Sequence, residues 1–241
     1  MKKILLLVLL PSIIATTAYS QILYFGGGGN FSFVNNGSLD FVIGRYNDTR
    51  SFLDIRMKDF NYLRGAIINV GGVTENGFTF EMSWTGRHWK RFAEGVDVTN
   101  TLVHRDVKLR NNSLSLGMGY TRVKESVFCP GLLALFDFGS FKAFTRVGPA
   151  DQVGDTDYDR VMKGLQLGMT FMLNLMIAGK DKPIGFAIRP YYQVHLFALD
   201  FQKLNEAINS NTAADDLGED LTKGLHNFGI QAVFLFTIRE D

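Results

Sequence analysis

The sequence predicts an all-β protein: a closed, antiparallel, up-and-down transmembrane β-barrel of about eight strands, with short helices in its extracellular loops. Three observations lead there. Apolar residues recur with period two in segment after segment. The connections between those segments alternate between short and long. The face opposite the apolar one carries small, uncharged polar residues and few charges.

The chain opens with Met1-Lys2-Lys3, an apolar run from Ile4 to Leu10, and small residues ending at Ala18-Tyr19-Ser20. A positive start, a short apolar core and a small-residue junction describe a secretory signal peptide over 1–20, with cleavage expected before Gln21 and a barrel domain expected over 21–241. The run is too short for a retained membrane helix, and no Cys follows the junction to carry a lipid anchor. The 25 basic residues less Lys2 and Lys3 leave 23 against 24 acidic ones, a net charge of −1. That balance makes no case for nucleic acid as a partner. The one cysteine, Cys129, has no disulfide partner and no His-Asn constellation beside it, so it reads as a lone thiol near a turn. No linker or composition break divides the chain, which favours one domain.

The first candidate strand, Leu23–Phe33, contains Gly26-Gly27-Gly28-Gly29. A nucleotide-binding loop would open a helix directly after its glycines. Here Asn30-Phe31-Ser32-Phe33 resumes the alternation, and no Gly-Lys-Ser/Thr follows. The parity puts Tyr24, Gly26, Gly28, Asn30 and Ser32 toward the lumen, and Phe25, Phe31 and Phe33 toward lipid. The glycines then relieve crowding and permit the coiling that closes a small barrel.

Arg64–Thr74 is the second strand. In the third, Phe78, Phe80, Met82 and Trp84 alternate with Thr79, Glu81, Ser83 and Thr85; in the fourth, Leu114, Leu116, Met118 and Tyr120 alternate with Ser115, Gly117, Gly119 and Thr121. Leu132–Arg146 is the fifth. Apolar alternation continues over Leu165–Leu175, Ile184–Val194 and Phe228–Phe236. The links "VTENG", "VKESVFCPG" and "AGKDKP" are short, whereas Asn35–Leu63, Phe92–Leu102, Val147–Tyr158 and Ala198–Leu225 are long. Short periplasmic turns and long extracellular loops are the pattern of a membrane barrel. Pairing Phe78 with Tyr120 sets the third strand against the fourth with both faces consistent, and a one-residue slip would turn Glu81 and Ser83 into lipid.

A soluble barrel also alternates, but its apolar face points inward and its outer face needs Lys and Glu. The polar face here is Gly, Ser, Thr, Asn and Gln, which suits a narrow lumen better. The chain also resembles the small outer-membrane β-barrel proteins of the OmpA/OmpX-like type, in particular those of Bacteroidetes. The resemblance covers the mature chain and rests on Gln21 after the signal, "IRPYYQ" (Ile188–Gln193) and the closing strand "FGIQAVFLFTI" (Phe228–Ile238). It implies an integral outer-membrane protein whose last strand is read by the barrel-insertion machinery. The extension Arg239-Glu240-Asp241 departs from the usual terminal aromatic.

A barrel this size is filled by side chains, which disfavours a general porin. Glu81, Asp137 and Arg189 fall on lumen faces and are expected to form a buried ion-pair cluster, since a charge in that wall needs partners. His88, Lys90, Lys108 and Arg110 form a basic collar above the apolar band, where lipopolysaccharide or phospholipid phosphates begin. "DTDYD" opens like a calcium loop with Asp155, Asp157 and Asp159. However, Arg160 stands where the bend needs glycine and Gln166 where a bidentate Glu belongs. No metal site, cofactor or catalytic residue is therefore assigned. "DDLGED" (Asp215–Asp220) reads as a solvated acidic loop. In the first long loop, Ser38 is the expected N-cap of an amphipathic helix carrying Leu39, Val42, Ile43 and Tyr46, packed as a lid on the mouth. Phe201–Ile208 reads as a second small helix.

The expected function is structural, or adhesion and interaction through the extracellular loops. Expected partners are outer-membrane lipids and lipopolysaccharide, the insertion machinery, and an extracellular protein or glycan. Two alternatives stand beside it. One is an outer-membrane lipid-modifying hydrolase or acyltransferase, using Glu94, His104 and a Ser or Thr of the second long loop. The other is a periplasmic, lipocalin-like lipid-binding barrel.

Overall fold

The computed structural model describes residues 20–122, 127–148, 158–178, 183–209 and 221–239. The signal segment before Ser20, Asp155 and Asp157 of the calcium-like run, and the acidic stretch Asp215–Asp220 lie outside these residues. The elements are β1 (Ser20–Val34), α1 (Gly37–Asp48), β2 (Leu53–Ile55), β3 (Tyr62–Thr74), β4 (Phe78–Val96), β5 (Leu102–Thr121), β6 (Phe128–Gly148), β7 (Asp159–Ala178), β8 (Ile184–His195), β9 (Leu199–Asp200), α2 (Gln202–Asn209), β10 (Thr222–Lys223) and β11 (Asn227–Arg239).

Eight of the strands form a ring in the order β1-β3-β4-β5-β6-β7-β8-β11, with β11 pairing back onto β1 and every neighbour antiparallel. The barrel is closed and up-and-down. Closure removes the unpaired edge that an open sheet would leave. The short β2 lies outside the ring on β4, and β9 pairs with β10.

The ring is uneven. β4 to β7 run 19, 20, 21 and 20 residues, whereas β1, β3, β8 and β11 run 15, 13, 12 and 13. A strand needs about 9–11 residues to cross a hydrocarbon layer, so one side of the wall rises well past the other. The loop expected over Phe92–Leu102 is mostly strand: β4 runs to Val96 and β5 starts at Leu102. Above Trp84 charges enter both faces of β4, Arg87 and Arg91 on one and His88 and Lys90 on the other, so the clean hydrophobic period disappears while the ladder continues. Its tip is a tight turn in which Asp97 Oδ1 accepts from the Thr99 hydroxyl at 2.6 Å and the Thr101 amide at 3.0 Å. The Thr99 hydroxyl bond, with the backbone bond from Thr101, holds that carboxyl below its ordinary range.

Phe78 stands opposite Tyr120, Met82 opposite Leu116 and Trp84 opposite Leu114, with Glu81 opposite Gly117 on the inner face. The adjoining β3–β4 turn is tied to the end of β5, where Thr121 N–H donates to Gly77 O at 2.8 Å. Gly77 N–H donates to Thr74 O at 2.9 Å, and Gly77 itself has φ +84°, a conformation that favours glycine. Cysteines replacing Phe78 and Tyr120 in a Cys129→Ala background are expected to crosslink readily. Failure to crosslink, while Phe78 with Met118 succeeds, would overturn the pairing.

The interior is layered. At the turn end, Ile22, Tyr24, Ile67, Val73, Met176 and Val233 share an apolar cluster with buried Cys129. The middle is polar. The outer half is an apolar core in which Leu39, Val42, Ile43 and Tyr46 of α1 and Leu204 and Ile208 of α2 meet Leu109, Phe141 and Met162 of the wall. The first helix is therefore a lid on the mouth. Its N-cap is Asn36, whose Oδ1 accepts from Leu39 N at 3.0 Å, and not Ser38, which lies one residue inside the helix. Arg50 ties the helices together by donating to Ile208 O at 2.8 Å and Tyr46 O at 3.2 Å.

Candidate functional site

Two regions carry the polar chemistry, the middle of the lumen and the outer face above an apolar belt. In the lumen, Glu81, Asp137 and Arg189 all point inward and are buried. Glu81 and Arg189 meet directly, Nη1 to Oε2 at 2.9 Å. Further hydrogen bonds surround the pair: Tyr24 OH donates to Glu81 at 2.8 Å, Asn69 Nδ2 at 3.1 Å, and Arg189 Nε donates to Asn174 Oδ1 at 2.8 Å, while Arg189 Nη2 is buried without a partner among the described residues.

Asp137 is not part of that pair. It accepts from Ser115 Oγ at 2.5 Å, Thr170 Oγ1 at 2.6 Å and Gln193 Nε2 at 2.8 Å. The amide of Gln193 then links it to a cation absent from the sequence-derived cluster. Arg87 Nη2 donates to Gln193 Oε1 at 2.9 Å, and its Nη1 reaches Tyr191 OH and Asn227 Oδ1, both at 3.2 Å. So the lumen holds two charge systems, one in direct contact and one bridged. The parity of β4 was the available signal for Arg87: it continues the inward series Glu81, Ser83, Thr85. Within the bridged system lies a cavity of ≈10 Å³, lined by Asn30, Ser83, Arg87, Asp137 and Gln193. That is the room of about one water, far too little for a solute to pass.

On the outer face, Asp106 sits on the outward parity of β5 and is nevertheless completely buried. Arg146 Nη2 covers it at 2.8 Å, Tyr158 OH donates at 3.0 Å, and Lys90 Nζ lies at 3.5 Å. His104 completes the cover, with Nε2 at 3.2 Å from Asp106 and Nδ1 at 3.0 Å from Glu94. Both ring nitrogens are thus held by carboxylates. Neither is left to take a proton from a Ser or Thr hydroxyl, and this geometry is not that of a nucleophile's base.

The four collar residues share neighbouring places on this face, His88 opposite Arg110 and Lys90 opposite Lys108. Their partners differ. Lys90 is engaged by Asp106, and the Lys108 ammonium stands 5.3 Å from the centre of the Tyr158 ring. Among the described residues His88 and Arg110 have no carboxylate within ion-pair distance. Among the described residues no group of His, Cys, Asp and Glu is arranged to hold a metal.

Below the collar every strand of the ring carries large apolar side chains outward. Phe25, Ile68, Leu114, Phe136, Phe171, Ile188 and Phe234 are exposed, the last at 69 %. At the outer end Phe33 stacks on Phe228 with centroids 4.7 Å apart. The wall is apolar outside and polar in its middle layer inside, the reverse of a soluble protein.

No protein-family model matches the chain, and no curated protein sequence does either. Solved structures do. Neisserial surface protein A is 10% identical with a TM-score of 0.46, over 90% of this chain and 97% of that one. The outer membrane protein OprG from Pseudomonas aeruginosa is 8% identical with a TM-score of 0.45, over 92% and 98%. Ail, the attachment invasion locus protein of Yersinia pestis, solved with the heparin analogue sucrose octasulfate, is 12% identical with a TM-score of 0.43, over 90% and 98%.

Proposed function

We propose that this chain is an integral outer-membrane β-barrel with a closed lumen, acting structurally or through its extracellular face by adhesion or interaction. One observation carries the reading. A continuous belt of exposed Phe, Leu and Ile surrounds a wall whose inner middle layer is Asn, Gln, Ser, Thr and paired charges. An apolar surface of that extent is not tolerated by a soluble monomer, and only a closed barrel satisfies its backbone in lipid without helices. A lipocalin-like carrier needs the opposite polarity and a large cavity, whereas the cavity beside Arg87 and Asp137 has room for about one water.

The function then lies outside the pore. The two helices close the mouth, and the long β4–β7 wall lifts the rim away from the bilayer. Such a surface presents residues to the exterior without moving solute. The test has two parts. The protein should stay with the outer membrane after carbonate extraction, and release would overturn the reading. In planar bilayers it should give no steady conductance, whereas stable open steps would overturn the closed lumen.

A further inference from the structure

The outward cations are not scattered. Arg64 of β3 lies opposite His88 of β4, His88 opposite Arg110 of β5, Arg110 opposite Lys142 of β6, and Lys142 opposite Lys163 of β7. Lys90 opposite Lys108 repeats the arrangement one step higher. Like charges placed directly across strands destabilise a sheet, and here they recur at the β4–β5, β5–β6 and β6–β7 junctions. A merely wet rim would interleave signs, as the Asp106 cluster does just above. Among the described residues His88, Arg110, Lys142 and Lys163 have no carboxylate in ion-pair reach. The outer ends of β8, β11 and β1 carry Tyr192, Phe228 and Phe33 instead, so the cations occupy one sector.

Beneath the sector the wall is indented. Ala232, Gly29, Ala66, Gly86 and Asn112 lie opposite one another across β11, β1, β3, β4 and β5, a row of small residues on the lipid side. A groove of ≈440 Å³ opens there, bounded by Ala66, Gly86 and Asn112, with Trp84 as one wall and His88, Lys108 and Arg110 along its upper side. The Trp84 ring lies against Gly86, 2.7 Å from where a Cβ would stand.

We propose that this sector is a binding site for an acylated lipid whose head group carries more than one phosphate, its phosphates on the cation row and an acyl chain in the groove. The proposal rests on the reading that the barrel spans a membrane. The row crosses four strand spacings, about 19 Å, more than one phosphate can span. The groove distinguishes a lipid from a soluble polyanion, because Gly65, Ala66, Trp84 and Gly86 set apolar lining beside its cations.

Native mass spectrometry of the full chain in neutral detergent tests it. The ligands are a bis-phosphorylated acylated disaccharide lipid, its dephosphorylated counterpart, inorganic pyrophosphate and heparin. The phosphorylated lipid is expected to bind at least about tenfold more tightly than the dephosphorylated one, and Arg110→Gln and Lys142→Gln to lower that affinity about fivefold each. Ala66→Phe, facing outward between Gly29 and Gly86, should weaken the lipid and leave pyrophosphate unchanged. Equal binding of the dephosphorylated lipid would overturn the proposal, as would heparin or pyrophosphate binding as tightly as the lipid. The Gln variants should melt no lower than the parent without lipid, because repulsion is relieved. A lower melting point would assign the cations a structural role and overturn it too. Carbonate release would sink the membrane reading separately, since these affinities are measured in detergent.

Discussion

Replacing Arg189 with Met is expected to destabilise the folded barrel by about 3–5 kcal/mol, the cost of leaving one partner of a buried pair uncompensated. Both side chains are fully buried at 2.9 Å. Glu81 would keep the donors Tyr24 and Asn69 but lose its guanidinium partner, and Asn174 Oδ1 would lose the Nε donor. Two neutral donors do not replace a guanidinium in a site that water cannot flood. Urea unfolding in detergent, followed by tryptophan fluorescence, measures the loss. Adding Glu81→Gln to Arg189→Met should recover part of it, because contacting residues are not additive. A loss below experimental error in the single variant would show that the pair carries no such energy.

Asp137 should respond differently. Its three donors are neutral, and its link to Arg87 passes through Gln193. Cutting Arg87 therefore disturbs a network with several acceptors rather than a single contact.

What was legible in the sequence followed from period two. Inward parity placed Glu81, Asp137 and Arg189 in the lumen, and the face rule oriented the wall and set the β4–β5 register residue by residue. Period two gives a side, however, not a partner. The separation of Asp137 from Arg189 depends on how β6 and β8 are staggered around the closed ring, which alternation within one strand does not encode. Arg87 was readable by parity, but a cation next to His88 and Trp89 resembles a rim. Asp106 defies the exposure that its outward parity predicts: Lys90, His104, Arg146 and Tyr158 cover it, the last two from far along the chain. The helix start was ambiguous for a local reason. Asn36 and Ser38 are both good caps, and the extended backbone at Asn36, φ −140° and ψ 99°, decides between them.

The four glycines give the sharpest contrast. Gly28→Ala is expected to cost about 2–3 kcal/mol, the upper part of the overpacking range, while Gly29→Ala should be neutral or slightly stabilising. Gly28 faces the lumen at the seam where β1 meets β11, opposite Val233. A Cβ there would run into the Ala232 carbonyl oxygen and lie 2.8 Å from Val233 Cα. Those are backbone atoms of the closing strand, so no rotamer change relieves the contact and the seam itself must open. At Gly29 a Cβ would point outward and meet nothing within 4 Å, and alanine would also remove some of the chain entropy that glycine loses on folding. The two substitutions add the same methyl group one residue apart, so composition, propensity and expression cancel between them. Refolding yield into detergent, read from the mobility difference between folded and heated samples, compares them directly. Equal yields would mean that β1 and β11 do not close at the register Gly28–Val233, and with it the ring would lose its seam.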